Sequence, residues 1–201
     1  RVNGHTNWLT INKPFEDSTN LTIQFWIALE SYPSDTETTY ETRQPSALIS
    51  QIDETAGFSI DIDTYGQWQA RVFIDNQLIS LKVPTVFPLY EWGQVALVID
   101  GENGELGLVL NDQIVAQHSF SSGSTFHFSD APLILGKSAQ DRQIGPLIIN
   151  AINGVYDKLS ILSGVLSYTE IFDEYDRLSQ VASPIDEALK VPSSRFAEDI
   201  Q

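Results

Sequence analysis

The stretch from Leu89 to Ala116 constrains this chain more than any other part of it. Val95 to Ile99 is a nearly continuous apolar, β-branched run, the pattern of a strand covered on both faces. Asp100 to Gly104 carries Asp-Gly and Asn-Gly steps, which supply positive φ at little steric cost and turn the chain back. Leu106 to Leu110 then returns antiparallel, and Asn111-Asp112 turns again into Ile114 to Ala116. The stretch therefore reads as three strands joined by two tight turns.

The flanking sequence extends the same pattern. From Leu21 to Leu29 the chain alternates strictly: Leu21, Ile23, Phe25, Ile27 and Leu29 form a core face, while Thr22, Gln24, Trp26 and Ala28 point the other way. Parity thus places Trp26 opposite the main core. Trp8 to Ile11 and Ala47 to Gln51 are short strands, and Gly57 to Ile74 is a hairpin turning at Thr64-Tyr65-Gly66. One hairpin face is apolar; the other carries Asp61, Asp63, Gln69 and Arg71 and reads as a solvated surface. Trp68 and Trp92 are assigned to the core by their apolar neighbours. Gln77 to Val83, Ala131 to Lys137 and Asn153 to Ile161 complete the strands. Ser31 to Pro45 is a polar loop longer than most connections in a compact domain. Ser167 and Glu170 make a capping box, followed by Ile171, Tyr175 and Leu178 on one helical face.

Composition narrows the function classes. The 201 residues suffice for one domain that needs no covalent staples, and without cysteine there is no thiolate metal site, thiol nucleophile or disulfide framework. With 11 basic residues against 27 acidic ones, the net charge of −16 makes nucleic acid and anionic membranes poor partners. No apolar run approaches the ~20 residues that cross a bilayer as a helix, so no membrane insertion is expected. The sequence holds no Met and opens on Arg1, which suggests a processed or excised piece of a longer protein.

Several motifs, in order, carry a family resemblance. Trp92-Gly-Gln-Val-Ala-Leu-Val, the Gly/Asn turn and Leu106-Gly-Leu-Val-Leu resemble the central meander of laminin-G-like domains. Pro132-Leu-Ile-Leu-Gly136 resembles that family's Pro-Leu-x-Leu-Gly strand. Asn153-Gly-Val-Tyr-Asp157-Lys-Leu-Ser-Ile161 resembles its closing strand, with Lys158 where the family has Glu. Leu166-Ser-Tyr-Thr-Glu-Ile171 resembles its Leu-Ser-x-x-Glu-Ile ending. The resemblance spans roughly residues 1 to 172 and implies an all-β concanavalin A-like jelly roll of two antiparallel sheets with a short C-terminal helix. The expected organisation is a sandwich over residues 1–178 and a linker over 179–201. Ser194-Arg-Phe-Ala-Glu-Asp-Ile-Gln201 is similar to the lead-in to the catalytic module of family 32 glycoside hydrolases, the levanases and inulinases. That resemblance implies a secreted, periplasmic or cell-surface bacterial enzyme whose catalytic domain follows in the same polypeptide.

Candidate sites follow from chemistry and from the family. Glucanases of this fold carry Glu-x-Asp-x-Glu on one strand, because glycoside hydrolysis needs two carboxyl groups on one face. The nearest match here is Ser59-Ile-Asp61-Ile-Asp63, with Ser at the nucleophile position and the shorter Asp at the acid/base position, so no catalytic residue is assigned. Asp61, Asp63, Gln69 and Arg71 offer planar hydrogen-bonding groups to the hydroxyls of a polysaccharide or oligosaccharide, with Trp26 or Tyr65 to stack on a sugar ring. Structural calcium is common in the family, and Asn3, Asp157 and the Asp100-Gly-Glu102-Asn103 turn are its candidate donors. His5, His118 and His127 are scattered and suggest no triad. Asn20-Leu21-Thr22 fits an N-glycosylation acceptor. The expected function is a non-catalytic, fructan-directed binding module. The alternatives are a structural domain packed on the catalytic neighbour, with the helix after Ser167 at the interface, and a glucanase in its own right.

Overall fold

A computed structural model of the chain describes residues 1–12, 15–33, 46–139, 143–148 and 150–180. In chain order they form β1 (Val2–Asn3), β2 (Leu9–Ile11), β3 (Asn20–Ser31), β4 (Ser46–Ile52), β5 (Gly57–Ile62), β6 (Trp68–Ile74) and β7 (Gln77–Lys82). There follow β8 (Trp92–Asp100), β9 (Glu105–Leu110), β10 (Gln113–Ser119), β11 (Leu133–Leu135), β12 (Gln143–Ile144), β13 (Leu147–Ile148), β14 (Asn153–Leu162) and the helix α1 (Tyr168–Ser179). One six-stranded sheet has the order β1-β14-β3-β8-β9-β10, and the second has β2-β11-β4-β5-β6-β7. Both are antiparallel throughout. The fold is the all-β two-sheet sandwich with one C-terminal helix that the motifs imply. Most of the long polar loop and nearly all of the expected linker, residues 34–45 and 181–201, lie outside the described residues.

Alternation decides which face of each strand is buried. Phe25, Ile27, Val95, Leu97 and Ile99 of the first sheet meet Ile49, Phe58, Ile60, Trp68 and Val72 of the second in one core cluster. Trp68 is fully buried there, its ring set edge-on against Phe87 and its indole N–H donating to the Thr85 carbonyl. The Tyr156 hydroxyl donates to the Leu48 carbonyl at 2.8 Å and ties β14 to β4 across the sandwich.

The double coverage read from Val95–Ile99 is also present. Ala96 and Val98, on the opposite face, join Val109 and Ile171 in a second cluster under α1. Ser167 caps the helix reciprocally, its side chain receiving the Glu170 amide while the Glu170 carboxylate accepts the Ser167 N–H. Gly107 lets the helix seat, since a Cβ there would lie 2.1 Å from the Tyr168 hydroxyl.

Candidate functional site

The strand register collects the polar side chains of the second sheet on its outer face. Ser50, Ser59, Arg71 and Ser80 are successive partners across β4–β7, and Ala47, Asp61, Gln69 and Lys82 form the next row. The expectation of a solvated face is corrected here: Ser59, Asp61 and Gln69 are buried, and Arg71 is half-buried. The Arg71 guanidinium grips Asp61 with two N–H groups, Nε to Oδ2 and Nη2 to Oδ1, the latter at 3.1 Å. Burial pushes the Asp61 carboxyl above its ordinary value, and the Arg71 charge opposes that rise. Asp63 serves its turn, accepting the amides of Tyr65 and Gln67 at 2.8 and 2.9 Å. Asp61 is thus engaged by arginine and Asp63 by backbone, so Asp61 and Asp63 are not a free carboxyl pair of the kind glycoside hydrolysis uses.

The remaining sequence-derived residues are dispersed. Tyr65 is 64% exposed at the β5–β6 turn. Trp26 lies on the outer face of the first sheet, as parity requires, but is covered by Tyr175 of α1, the rings stacked at 5.7 Å and 13°. Trp92 departs from its core assignment. It pairs with Ala28 on that same outer face and belongs to neither apolar cluster. In a strand covered on both faces the apolar neighbours of Trp92 lie on both sides, so they cannot fix its direction.

Asn3 and Asp157 do not come together as metal donors. Asn3 Oδ1 accepts the amides of His5, Thr6 and Asn7 and closes the N-terminal turn. Asn3 pairs with Asn153, four residues before Asp157 on β14, a separation of about 13 Å along a strand. Asp100 is committed to Asn103 through both its backbone and side-chain nitrogens. Among the described residues no cluster of three or more His, Cys, Asp or Glu is present. Asn3 and Asp157 therefore do not share one ion.

An open cleft of about 520 Å³ lies instead between residues that the sequence reading passed over. Ser18 and Phe126 exchange backbone hydrogen bonds of 3.2 and 3.0 Å and bring the segment after β2 against the segment before β11. The Phe15 ring stacks on Phe128 at 4.9 Å, and Phe128 sets its edge against the buried Phe126. Asp17 clasps the two segments: Oδ2 meets His127 Nδ1 at 2.8 Å, and Oδ1 accepts the Phe128 amide at 3.0 Å. The His127 hydrogen bond, helped by that amide, holds the Asp17 carboxyl below its ordinary value, although burial works against it. Gln51 also lines the cleft, its amide donating to the Ser129 and Ala131 carbonyls while Oε1 accepts the Ser129 N–H. Gly57 makes the β4–β5 turn possible, with φ +92° and no room for a Cβ, which would lie 1.9 Å from the Gln51 carbonyl oxygen. Asn12, Asp130 and Pro132 complete the lining.

Among the described residues, this lining holds two carboxylates, two carboxamides and a pair of partly exposed aromatic rings, with no lysine or arginine. Carboxylates and carboxamides accept from hydroxyl groups, and aromatic rings pack against apolar ring faces. Nothing in the linear pattern marks the site, because Asp17 and His127 stand 110 residues apart in stretches without strand or helix period.

Over residues 3–172 the sequence matches the family Laminin_G_3, described as the Concanavalin A-like lectin/glucanases superfamily, and the chain belongs to that family. No curated protein matches it in sequence. Among solved structures it is similar to domain 4 of AbnA, a GH43 extracellular arabinanase from Geobacillus stearothermophilus, in complex with arabinotriose. That likeness has 16% identity and a TM-score of 0.60, over 86% of this chain and 73% of the other. It is also similar to the binding domain of botulinum neurotoxin DC in complex with SialylT, at 14% identity and a TM-score of 0.57 over 79% of this chain. This chain spans only 35% of that one. A third likeness is to the heptameric SAP-like pentraxin from Limulus polyphemus, with 15% identity and a TM-score of 0.51, over 81% of this chain and 70% of the other. At these identities the likenesses show a shared fold.

Proposed function

We propose that this concanavalin A-like domain is a non-catalytic carbohydrate-binding module whose ligand, a neutral oligosaccharide, sits in the Phe15–Phe128 cleft. The observation that carries the reading is the composition of that cleft among the described residues: stacked phenylalanines beside Asp17, Asp130 and Asn12, open to solvent. A sugar presents hydroxyl donors to the carboxylates and an apolar ring face to the phenylalanines. The arabinotriose and SialylT complexes of two structural neighbours support a sugar as the class of ligand. Tyr65 belongs to a different surface, about 20 Å away along β5.

In its finer form the proposal keeps the fructan-directed accessory role. The module works outside the cytoplasm and is joined to a glycoside hydrolase that acts on the same polymer. The C-terminal similarity to the family 32 lead-in supports that partner.

Calorimetry and affinity electrophoresis against levan, inulin, arabinotriose and a β-glucan test the reading. The expected result is binding of one or more of these at a Kd of about 1 mM to 1 µM. Replacing Asp130 or Asn12, both exposed, with Ala is expected to weaken it about tenfold. Wild-type protein that binds none of the four glycans overturns the proposal.

A further inference from the structure

The outer face of the first sheet holds a group of buried polar atoms that the cleft does not use. Gln94 is 1% exposed, and neither its Oε1 nor its Nε2 has a hydrogen-bond partner among the described residues. The same is true of Gln24 Oε1 and of the Trp92 indole N–H. These atoms are neighbours. Gln94 stands directly across from Trp26 in the β3–β8 register, Trp92 stands across from Ala28, and Gln24 precedes Trp26 by two residues on one face. Folded proteins leave few buried polar groups unpaired, and the lost solvation is costly at each.

The orphaned atoms specify a chemistry. Gln94 Nε2 and the Trp92 N–H are donors; Gln94 Oε1 and Gln24 Oε1 are acceptors. Two donors and two acceptors match adjacent hydroxyl groups, each of which both donates and accepts. Glu174 Oε2 already accepts the Gln24 amide at 2.8 Å, which fixes the Gln24 side chain with its Oε1 left over. None of the atoms is charged, which disfavours an anion. Above them the Tyr175 ring lies nearly parallel to Trp26, where a sugar ring would stack. Burial raises the Tyr175 hydroxyl above its ordinary value, and repulsion from Asp112, Asp176 and Glu91 adds to the rise, which places Asp112 and Glu91 at the border of this roof. The helix is seated through Ile171, one turn earlier, so the Tyr175 side chain can swing aside while α1 stays docked.

We infer that Gln94, Gln24, Trp26 and Trp92 form a second sugar site on the first sheet, entered when the bound ring displaces Tyr175 from Trp26. The choice of a sugar as the ligand rests on the proposed function; the location of the site does not.

Arabinotriose and short inulin oligosaccharides are titrated into the whole chain, with calorimetric stoichiometry and tryptophan fluorescence as readouts. Two sites per chain are expected, one of them changing the tryptophan emission. Tyr175→Ala is expected to tighten that site about two- to tenfold by removing the competing ring. Gln94→Leu is expected to abolish it while leaving the cleft site in place, and the fold should tolerate the change because two orphaned atoms are removed with it. Conversely, Asp130→Ala should spare the fluorescence-detected site. One site per chain that disappears entirely in Asp130→Ala overturns this inference and leaves the cleft reading standing. A tryptophan signal that Gln94→Leu and Tyr175→Ala leave unchanged also overturns it. Absence of binding by either probe overturns it as well, and levan and β-glucan binding then decide the cleft reading separately.

Discussion

Asp61 and Arg71 show how burial changes the meaning of a residue pair. On an exposed strand face such a pair contributes ~0–1 kcal/mol, because water already solvates both charges. Asp61 is wholly buried and its partner's side chain is 22% exposed, so removing the carboxylate strands a largely desolvated guanidinium. Asp61→Ala is expected to cost about 3 kcal/mol in denaturant unfolding, the low end of the range for broken buried pairs because Arg71 keeps some access to water. Replacing both residues with apolar ones should recover much of that loss. Asp17 makes the opposite case in its response to pH. Its folded-state carboxyl lies below the ordinary value, chiefly through the His127 hydrogen bond, so its contribution is present above the unfolded value, about pH 4, and is lost as pH falls through the folded one. Glycan affinity measured by calorimetry should therefore fall off only in acid below about pH 4. Asp17→Asn, which keeps an acceptor for the Phe128 amide, should reduce that acid limb. An unchanged acid limb in the variant would dissociate the Asp17–His127 clasp from binding.

At the scale of elements, α1 completes the sandwich: it covers the apolar positions Ala96, Val98 and Val109, which would otherwise face water. Its start was legible because the capping box is a local signal, with donor and acceptor three residues apart. Ser167→Ala removes the acceptor of the Glu170 amide and is expected to lower stability by about 1 kcal/mol, read as a shift in denaturant midpoint without a change in slope. The strands were legible for a similar reason, since two-residue alternation is written into each segment. Leu21–Leu29 thus gave the facing of Trp26 correctly. Alternation reports which side chains share a face but not what covers that face. It therefore left Asp61 and Gln69 as surface residues, and it could not show that Tyr175 lies over Trp26. Trp92 was misassigned because an apolar strand buried on both sides offers no polar contrast to fix its phase. The cleft was missed for a different reason. Phe15, Asp17, His127 and Phe128 lie in stretches with no period, and long-range contacts such as the pairing of Ser18 with Phe126 make them neighbours.

For the whole molecule, the dominant long-range property is the net charge of −16. A neutral glycan carries no charge for that field to act on, so its affinity should be flat between about 0.05 and 0.5 M salt. An acidic sugar faces a different balance. Among the described residues, the cleft lining adds Asp17 and Asp130. A sialyl carboxylate held about 5 Å from one of these carboxylates meets a repulsion of roughly 0.8 kcal/mol even at the dielectric constant of water, before the rest of the surface is counted. One such contact lowers affinity about fourfold. A sialylated oligosaccharide should therefore bind more weakly than its neutral parent, and added salt should narrow the gap as the Debye length drops below the spacing between charges. Paired titrations of the two sugars at low and high salt measure this directly. Equal affinities at low salt, or a preference for the acidic sugar that salt erodes, would mean that the ligand is held by some basic surface away from the Phe15–Phe128 cleft.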